Sequence, residues 1–389
     1  MRTGRTGRGR VARHLGVGLA LVVGLPLLTA PPASAHTISS VQPTNYRSEI
    51  VEVQPAVPGV RVRLLDLGRR VELAVSGPEE VVVVGYQGEP YLRVGPTGVF
   101  ENRRSPTLYR NRTQPGGKAA TVPATADATA APEWHRTSTG HTARWRDQRT
   151  RWEGTDPPSV AESPGRAQVI VPAWHLPLRR GSTDIVVVGR ILWVPGPSPW
   201  PWVALAVAGV GLCVGASRGR RWEQSLSGAL AALVAVSIVR TVGLDAASGR
   251  SAAAVAVTVV ATSLLPLAAW AAGAWAVGAV QTGHENGVLA AGVIGSFLAL
   301  SAVGDLRTFT RSQVQTAFSV SFSRAALAVT LGLGLGVAAA AVLRVRALVT
   351  DAGRRPLAPK GKVAAGRPPA RSAATRARSR RSADDRRRR

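Results

Sequence analysis

Four histidines between residues 36 and 200 are the side chains of this chain best suited to bind a metal: His36, His135, His141 and His175. If residues 1–35 are a signal peptide that is cleaved after Ala35, His36 offers a free α-amine beside its imidazole. These two nitrogens form a chelating pair suited to Cu(II). One further histidine would complete a three-nitrogen copper site. No H-x-H or C-x-x-C spacing accompanies them, so the alternative is a histidine that simply follows a cleavage site. We expect no other cofactor.

A second cluster of polar residues lies in the run GYQGEPYLRVGPTGVFENRRSP, residues 85–106. Its two carboxylates, Glu89 and Glu101, are spaced as a general acid and base could be. The alternative is a turn network that packs one edge of a sheet, with Glu–Arg pairs on its rim. Because the chain has no nucleophile elbow, phosphate loop or zinc-protease helix, we predict no catalytic residue and no enzyme. Four side chains of the run are candidates for a binding surface: Glu89, Tyr91, Arg93 and Asn102.

The stretch ARWRDQRTRWEG, residues 143–154, sets two tryptophans around charged residues. It is interpretable as a binding site, as the remains of one, or as a solvated strand. Four of its side chains extend the candidate binding surface: Trp145, Asp147, Arg149 and Trp152.

Residues 1–35 have the pattern of a secretory signal peptide. Five arginines precede the apolar run VGLALVVGLPLL, and Ala33-Ser34-Ala35 is a small-residue cleavage site. The alternative is an uncleaved anchor. Export without disulfides follows, because Cys213 is the only cysteine and lies in an apolar run.

Residues 36–194 are predicted to form an extracytoplasmic, β-rich domain, most simply an antiparallel sandwich. Short runs rich in branched residues, such as RRVELAV and DIVVVGRILWV, are separated by Gly, Pro, Ser and Asp. The Thr/Ala/Pro-rich stretch 113–143 is predicted to be a loop.

The composition after residue 200 predicts an all-α transmembrane domain. Each apolar run is near the roughly 20 residues that cross ~30 Å of hydrocarbon, and five such spans are predicted: 200–217, 225–243, 252–280, 287–304 and 325–343. A Pro/Trp stalk, 195–202, leads into the first span, and Trp200 and Trp202 are predicted interface anchors.

Charged and small residues in the spans have predicted roles. Arg240, Asp245 and Asp305 lie near span ends and are expected to be solvated. Gly332 and Gly336 predict a small-xxx-small packing surface.

The formal charge of +27 is concentrated at the two ends of the chain. Residues 351–389 carry 14 basic and three acidic groups, whereas residues 36–199 carry 20 and 15. The segment 344–389 is predicted to be a disordered cytoplasmic tail that contacts anionic lipid, with the β-rich domain outside the cell membrane. A nucleic-acid partner is not expected, because no folded domain concentrates the charge.

The A-H-T start, the 85–106 run, W-x-D-x-R-T-x-W and LWVPGPSPWPW together resemble a family of uncharacterised actinobacterial multi-pass membrane proteins with an exported ectodomain. In that family the segment matching 145–152 often reads W-H-D-H-R-T-H-W, which would suit a metal. Here Arg146, Gln148 and Arg151 replace the three histidines, and a guanidinium cannot ligate a metal.

The resemblance implies that this member keeps the scaffold of the segment without metal ligands. We therefore expect Asp147 and Arg149 to pair structurally over the two tryptophans. The predicted function is a non-enzymatic integral membrane protein of the cell envelope whose ectodomain binds a protein or cell-wall partner. Copper binding or delivery through His36 is the alternative, and a transporter or membrane enzyme is favoured least.

Overall fold

The computed structural model describes residues 41–112, 121–247, 264–284 and 286–354, with a few single residues between 253 and 260. The predicted signal peptide, His36 and the tail beyond residue 354 lie outside the described residues.

Ten strands of the described chain form two antiparallel sheets. The larger sheet has the order β1-β10-β9-β4-β5-β6-β7. Its strands are β1 (Tyr46–Gln54), β4 (Val81–Val84), β5 (Pro90–Gly95), β6 (Gly98–Asn102), β7 (Trp134–Ser138), β9 (Gln168–Arg180) and β10 (Thr183–Trp193). The smaller sheet, in the order β2-β3-β8, contains β2 (Val60–Leu65), β3 (Arg70–Val75) and β8 (Thr142–Arg146).

The two sheets contribute side chains to one hydrophobic core. Leu73 of the smaller sheet and Val83, Leu176 and Ile185 of the larger sheet are completely buried in it. The antiparallel, β-rich N-terminal region is therefore confirmed. Closure of the sheets into a sandwich stays a prediction.

The predicted loop 113–143 was assigned too broadly. Residues 113–120 lie outside the described residues, and 121–133 contain turns, but Trp134–Ser138 is strand β7 and β8 begins at Thr142. Strand β7 ends the order of the larger sheet and exposes four of its five side chains, so its sequence WHRTS carries no apolar alternation that would reveal a strand.

Seven helices occur in the described segments. Two are short: α1 (Pro106–Arg112) and α2 (Pro158–Glu162). The others are α3 (Trp200–Ala216), α4 (Trp222–Ala246), α5 (Leu264–Gln281), α6 (Gly287–Val303) and α7 (Val320–Arg354).

Three of these helices are long and apolar enough to cross a membrane: α4, α5 and the part of α7 from Val320 to Thr350. Helices α3 and α6 are apolar but have 17 residues each, which is about 26 Å of helix against ~30 Å of hydrocarbon. The first part of the predicted third span, 252–263, falls mostly outside the described residues. Three membrane-capable helices are thus shown, and five spans remain a proposal.

The stalk is shorter than predicted. Helix α3 already begins at Trp200, with Pro201 in its first turn, where a missing N–H costs nothing. Trp200 is 73% exposed, whereas Trp202 is partly buried against the apolar cluster that contains Leu327; their role as interface anchors stays a prediction.

The glycines of α7 confirm the predicted small-residue packing. A Cβ on Gly332 would lie 2.5 Å from the Ala206 carbonyl of α3, and one on Gly336 would lie 2.8 Å from Cβ of Cys213. The other face of α7 is equally close to α6, because a Cβ on Gly334 would lie 2.8 Å from the Gly295 carbonyl oxygen.

Candidate functional site

Asp147 is a fully buried carboxylate with several donors around it. The Arg149 guanidinium lies 2.8 Å from its Oδ2, and Trp145 Nε1 donates to the same oxygen at 3.0 Å. Oδ1 accepts from the backbone N–H of Arg149 at 3.1 Å, which caps a short 3-10 turn. The expected Asp147–Arg149 pair is confirmed. The guanidinium stacks 4.8 Å above the Tyr86 ring rather than on a tryptophan.

Glu89 is the second buried carboxylate of this region. Its Oε1 accepts from Ser105 Oγ at 2.7 Å and Thr107 Oγ1 at 2.6 Å, and its Oε2 accepts from the Gln87 N–H at 2.9 Å. Burial by itself raises the pKa of Glu89, but these hydrogen bonds outweigh it and hold the pKa below its ordinary value. Glu89 is therefore a structural anion rather than a proton donor.

Glu101 does not share a site with Glu89 in this arrangement. It receives a 2.9 Å hydrogen bond from Arg112 Nη2, as expected for a Glu–Arg pair on the rim. The turn-network interpretation of the 85–106 run is the one that the contacts support.

Most of the candidate binding surface lies in the interior. Five of its eight side chains are buried: Glu89, Tyr91, Asn102, Trp145 and Asp147. The other three are partly buried: Arg93, Arg149 and Trp152. Two of these contacts join the sheets: Trp145 of the smaller sheet packs edge-to-face on Tyr91 of the larger sheet, and its indole N–H donates to Asp147, which pairs with Arg149. Polar side chains between glycines are usually exposed, so the sequence predicted that these eight side chains would lie on the surface. Their burial depends on tertiary contacts that the sequence pattern does not show.

A loop between α6 and α7 docks onto the β-rich region. We call residues 304–319 the junction loop. The main chain of Gln313 forms an antiparallel bridge with Thr44, with N–O distances of 2.8 and 3.1 Å. The Ser312 N–H donates to Asn45 Oδ1 at 2.9 Å, and its hydroxyl donates to the Val194 carbonyl at 2.8 Å. The β-rich region is thus attached to the helices at a second place besides the stalk.

A strained turn of the β-rich region receives the junction loop. Asp66 and Leu67 both have left-handed backbone angles, with φ of 53° and 59°, which non-glycine residues adopt at a cost. The Asp66 carboxylate pairs with Arg70 and accepts a 2.8 Å hydrogen bond from Gln315 Nε2. Thr150 Oγ1 holds the other side of the turn through a 2.7 Å bond to the Gly68 carbonyl. Asp66 and Gln315 were not among the candidate residues, because neither belongs to a recognisable motif and only the fold brings them together.

The membrane-end charges are less solvated than predicted. Arg240 of α4 pairs with Asp305 of the junction loop, and their side chains are 15% and 13% exposed. Asp245 is 4% exposed. These side chains are shielded because the junction loop folds back over the helix ends and replaces water there.

A small cleft, with a volume of about 30 Å³, opens beside this ion pair. We call it the junction cleft. It has polar walls at Arg240, Asp305 and Gln315 and apolar walls at Leu244, Val314, Phe318, Phe322 and Leu327.

A second cleft of about 510 Å³ lies on the β-rich region, beside α1. We call it the rim cleft. It is lined by Glu101, Arg103, Leu108, Tyr109, Arg112, His135 and Thr137. It is open and polar, and its two arginines outnumber the one carboxylate, which already pairs with Arg112.

The described histidines do not come together. His135 lies in β7 and His175 in β9, four strand positions apart, which is about 19 Å at the usual strand spacing. His141 Nδ1 lies 3.0 Å from the Gly95 carbonyl. Within the described ranges, no three His, Cys, Asp or Glu side chains are grouped to hold a metal. His36 lies outside those ranges, so copper binding through it stays a prediction.

No family model matches this chain, and no curated protein or solved structure matches it either. The family resemblance stays a prediction, and the function is inferred from the geometry of the chain itself.

Proposed function

We propose that this is a non-enzymatic cell-envelope protein whose ectodomain binds an anionic component of the cell wall in the rim cleft. The single observation that supports the site is the surplus of cationic side chains in an open cleft, with Arg103 and Arg112 beside His135. Guanidinium groups suit carboxylate and phosphate groups because they donate hydrogen bonds in a planar fork. The Tyr109 ring in the same cleft adds an apolar face for a sugar ring.

The membrane topology is part of the same proposal. Helices α3 to α7 each cross the membrane, with residues 36–194 outside and the basic tail in the cytoplasm. The antiparallel packing of the described helices supports it, since Ser227 near the start of α4 bonds the Val277 carbonyl near the end of α5 at 3.3 Å. Helices α3 and α6, with 17 residues each, are shorter than the hydrocarbon layer, so they cross where the helix bundle thins the bilayer locally.

Binding is tested with full-length protein in detergent and isolated cell-wall sacculi in a sedimentation assay. We expect wild type to sediment with sacculi at low salt, and Arg103→Gln with Arg112→Gln to abolish this. Arg110→Gln is the matched control, because Arg110 is exposed on the same helix and does not line the cleft. Equal binding by the double variant and the control rejects the rim cleft. No binding by wild type rejects the cell-wall partner itself and favours a protein partner.

Topology is tested by labelling with a membrane-impermeant maleimide in a Cys213→Ala background. Ser182 lies exposed in the β9–β10 turn and Arg220 lies exposed between α3 and α4. We expect Ser182→Cys to react in intact cells and Arg220→Cys to react only after lysis. The reverse pattern would show the opposite orientation.

A further inference from the structure

The junction cleft combines features that a phospholipid headgroup requires. Phe318 and Phe322 form an edge-to-face pair 5.1 Å apart at its mouth, and they are 42% and 46% exposed. Leu244 and Leu327 continue this apolar wall inward to the Arg240–Asp305 ion pair. An apolar opening that leads to a charged base suits an amphiphile rather than a water-soluble ion.

Arg240 has spare hydrogen-bonding capacity in this cleft. Its Nη1 donates to Asp305. Its Nε is buried and has no hydrogen-bond partner among the described residues. A buried N–H without an acceptor is costly, since it has lost water and gained nothing in exchange. An acceptor oxygen delivered into the cleft would remove that cost.

The cleft also lies at the level where headgroups are found. It is formed at the C-terminal end of α4 and the N-terminal end of α7. Trp202, in the first turn of α3, packs against the apolar cluster that includes Leu327 of the cleft wall. Aromatic residues gathered at one end of apolar helices mark the interface between hydrocarbon and water.

We propose that the junction cleft binds a membrane phospholipid, with the headgroup phosphate accepting from Arg240 Nε and an acyl chain lying against Phe318 and Phe322. Asp305 holds the guanidinium in place. The bound lipid would seal the space under the docked β-rich region. This inference rests on the membrane embedding in the proposed function but not on the rim cleft, so wall binding and lipid binding can fail independently.

The test is native mass spectrometry of full-length protein released from detergent after incubation with phosphatidylglycerol. We expect one phospholipid to be retained by wild type and about tenfold less retention by Arg240→Lys, which keeps a positive charge for Asp305 but loses the planar fork of donors. Diacylglycerol, which lacks the phosphate, should not be retained, and inorganic phosphate should not compete. Arg221→Lys is the matched control, because Arg221 is exposed at the opposite end of α4.

A second variant keeps the proposal testable if Arg240→Lys fails to fold. Leu244→Trp fills the cleft without touching the ion pair, and we expect it to lose the lipid while Arg221→Lys retains it. Retention by Leu244→Trp equal to that of wild type overturns the proposal, as does equal retention of diacylglycerol. Competition by inorganic phosphate would replace the lipid with a free anion and also overturn it.

Discussion

Gln315 and Asp66 are joined by a 2.8 Å hydrogen bond although 249 residues separate them. Both side chains are buried, at 7% and 9% exposure. Asp66 belongs to the left-handed turn between β2 and β3, and Gln315 belongs to the junction loop. The bond therefore connects the β-rich region to the loop between two helices, and each of the two regions supplies one of its side chains.

Loss of this bond should loosen the junction loop. We expect Gln315→Ala to lower the free energy of unfolding by about 1 kcal/mol and to speed hydrogen exchange at residues 306–316. Gln313→Ala is the matched control, because the Gln313 bridge to Thr44 uses main-chain atoms only. The two variants are compared by hydrogen–deuterium exchange of full-length protein in detergent. Equal exchange in both would mean that the Gln315 side chain does not hold the loop.

The buried Asp147–Arg149 pair should contribute much more than an exposed one. We expect Asp147→Asn to lower the free energy of unfolding by about 3 kcal/mol, because it leaves the Arg149 cation without a counter-charge in a mostly buried site. Asp184→Asn removes the exposed pair with Arg179, whose carboxylate side chain is 72% exposed, and should cost less than about 1 kcal/mol. Urea unfolding followed by tryptophan fluorescence measures both, and similar losses would contradict the assigned role.

The lowered pKa of Glu89 makes stability depend on pH in a defined direction. A carboxyl whose pKa is lower in the folded than in the unfolded state stabilises the fold above its unfolded pKa of about 4.3, and this contribution is lost as the pH falls through the folded pKa. We expect Glu89→Gln to lower the thermal unfolding midpoint at pH 7, and the difference from wild type to shrink below about pH 4.

Glu162→Gln serves as the control for this pH dependence, because Glu162 is exposed at the end of α2. Its midpoint should follow that of wild type across the pH range. A Glu89→Gln difference that stays constant down to pH 2 would show that the Glu89 charge is not what stabilises this region.

Copper binding through His36 is tested separately from the described histidines. Cu(II) titration of full-length protein with an authentic His36 amino terminus should show a site that His36→Ala removes. His175→Ala should bind as wild type does, because three strands lie between the strand of His175 and that of His135. Loss of binding on substitution of His175 would instead require a different arrangement of these histidines.

Local patterns in the sequence predicted the elements that depend on local chemistry. Branched, alternating runs such as DIVVVGRILWV became strands, since β propensity and a half-buried face act within a few residues. The Gly332 and Gly336 spacing predicted close helix packing, which depends only on which residue types share a helix face. Strand β7 was missed because an edge strand with exposed polar side chains lacks that pattern.

Polar positions are not predictable in the same way. Neighbouring residues suffice to predict a β-rich region, apolar helices and an Asp147–Arg149 pair two residues apart, because each of these depends on local chemistry. The burial of Glu89 and Asp147, the bond from Gln315 to Asp66 and the pairing of Arg240 with Asp305 beneath a loop all depend on contacts between distant segments. Burial of a polar group depends on which distant segment covers it, and no short-range pattern encodes that segment.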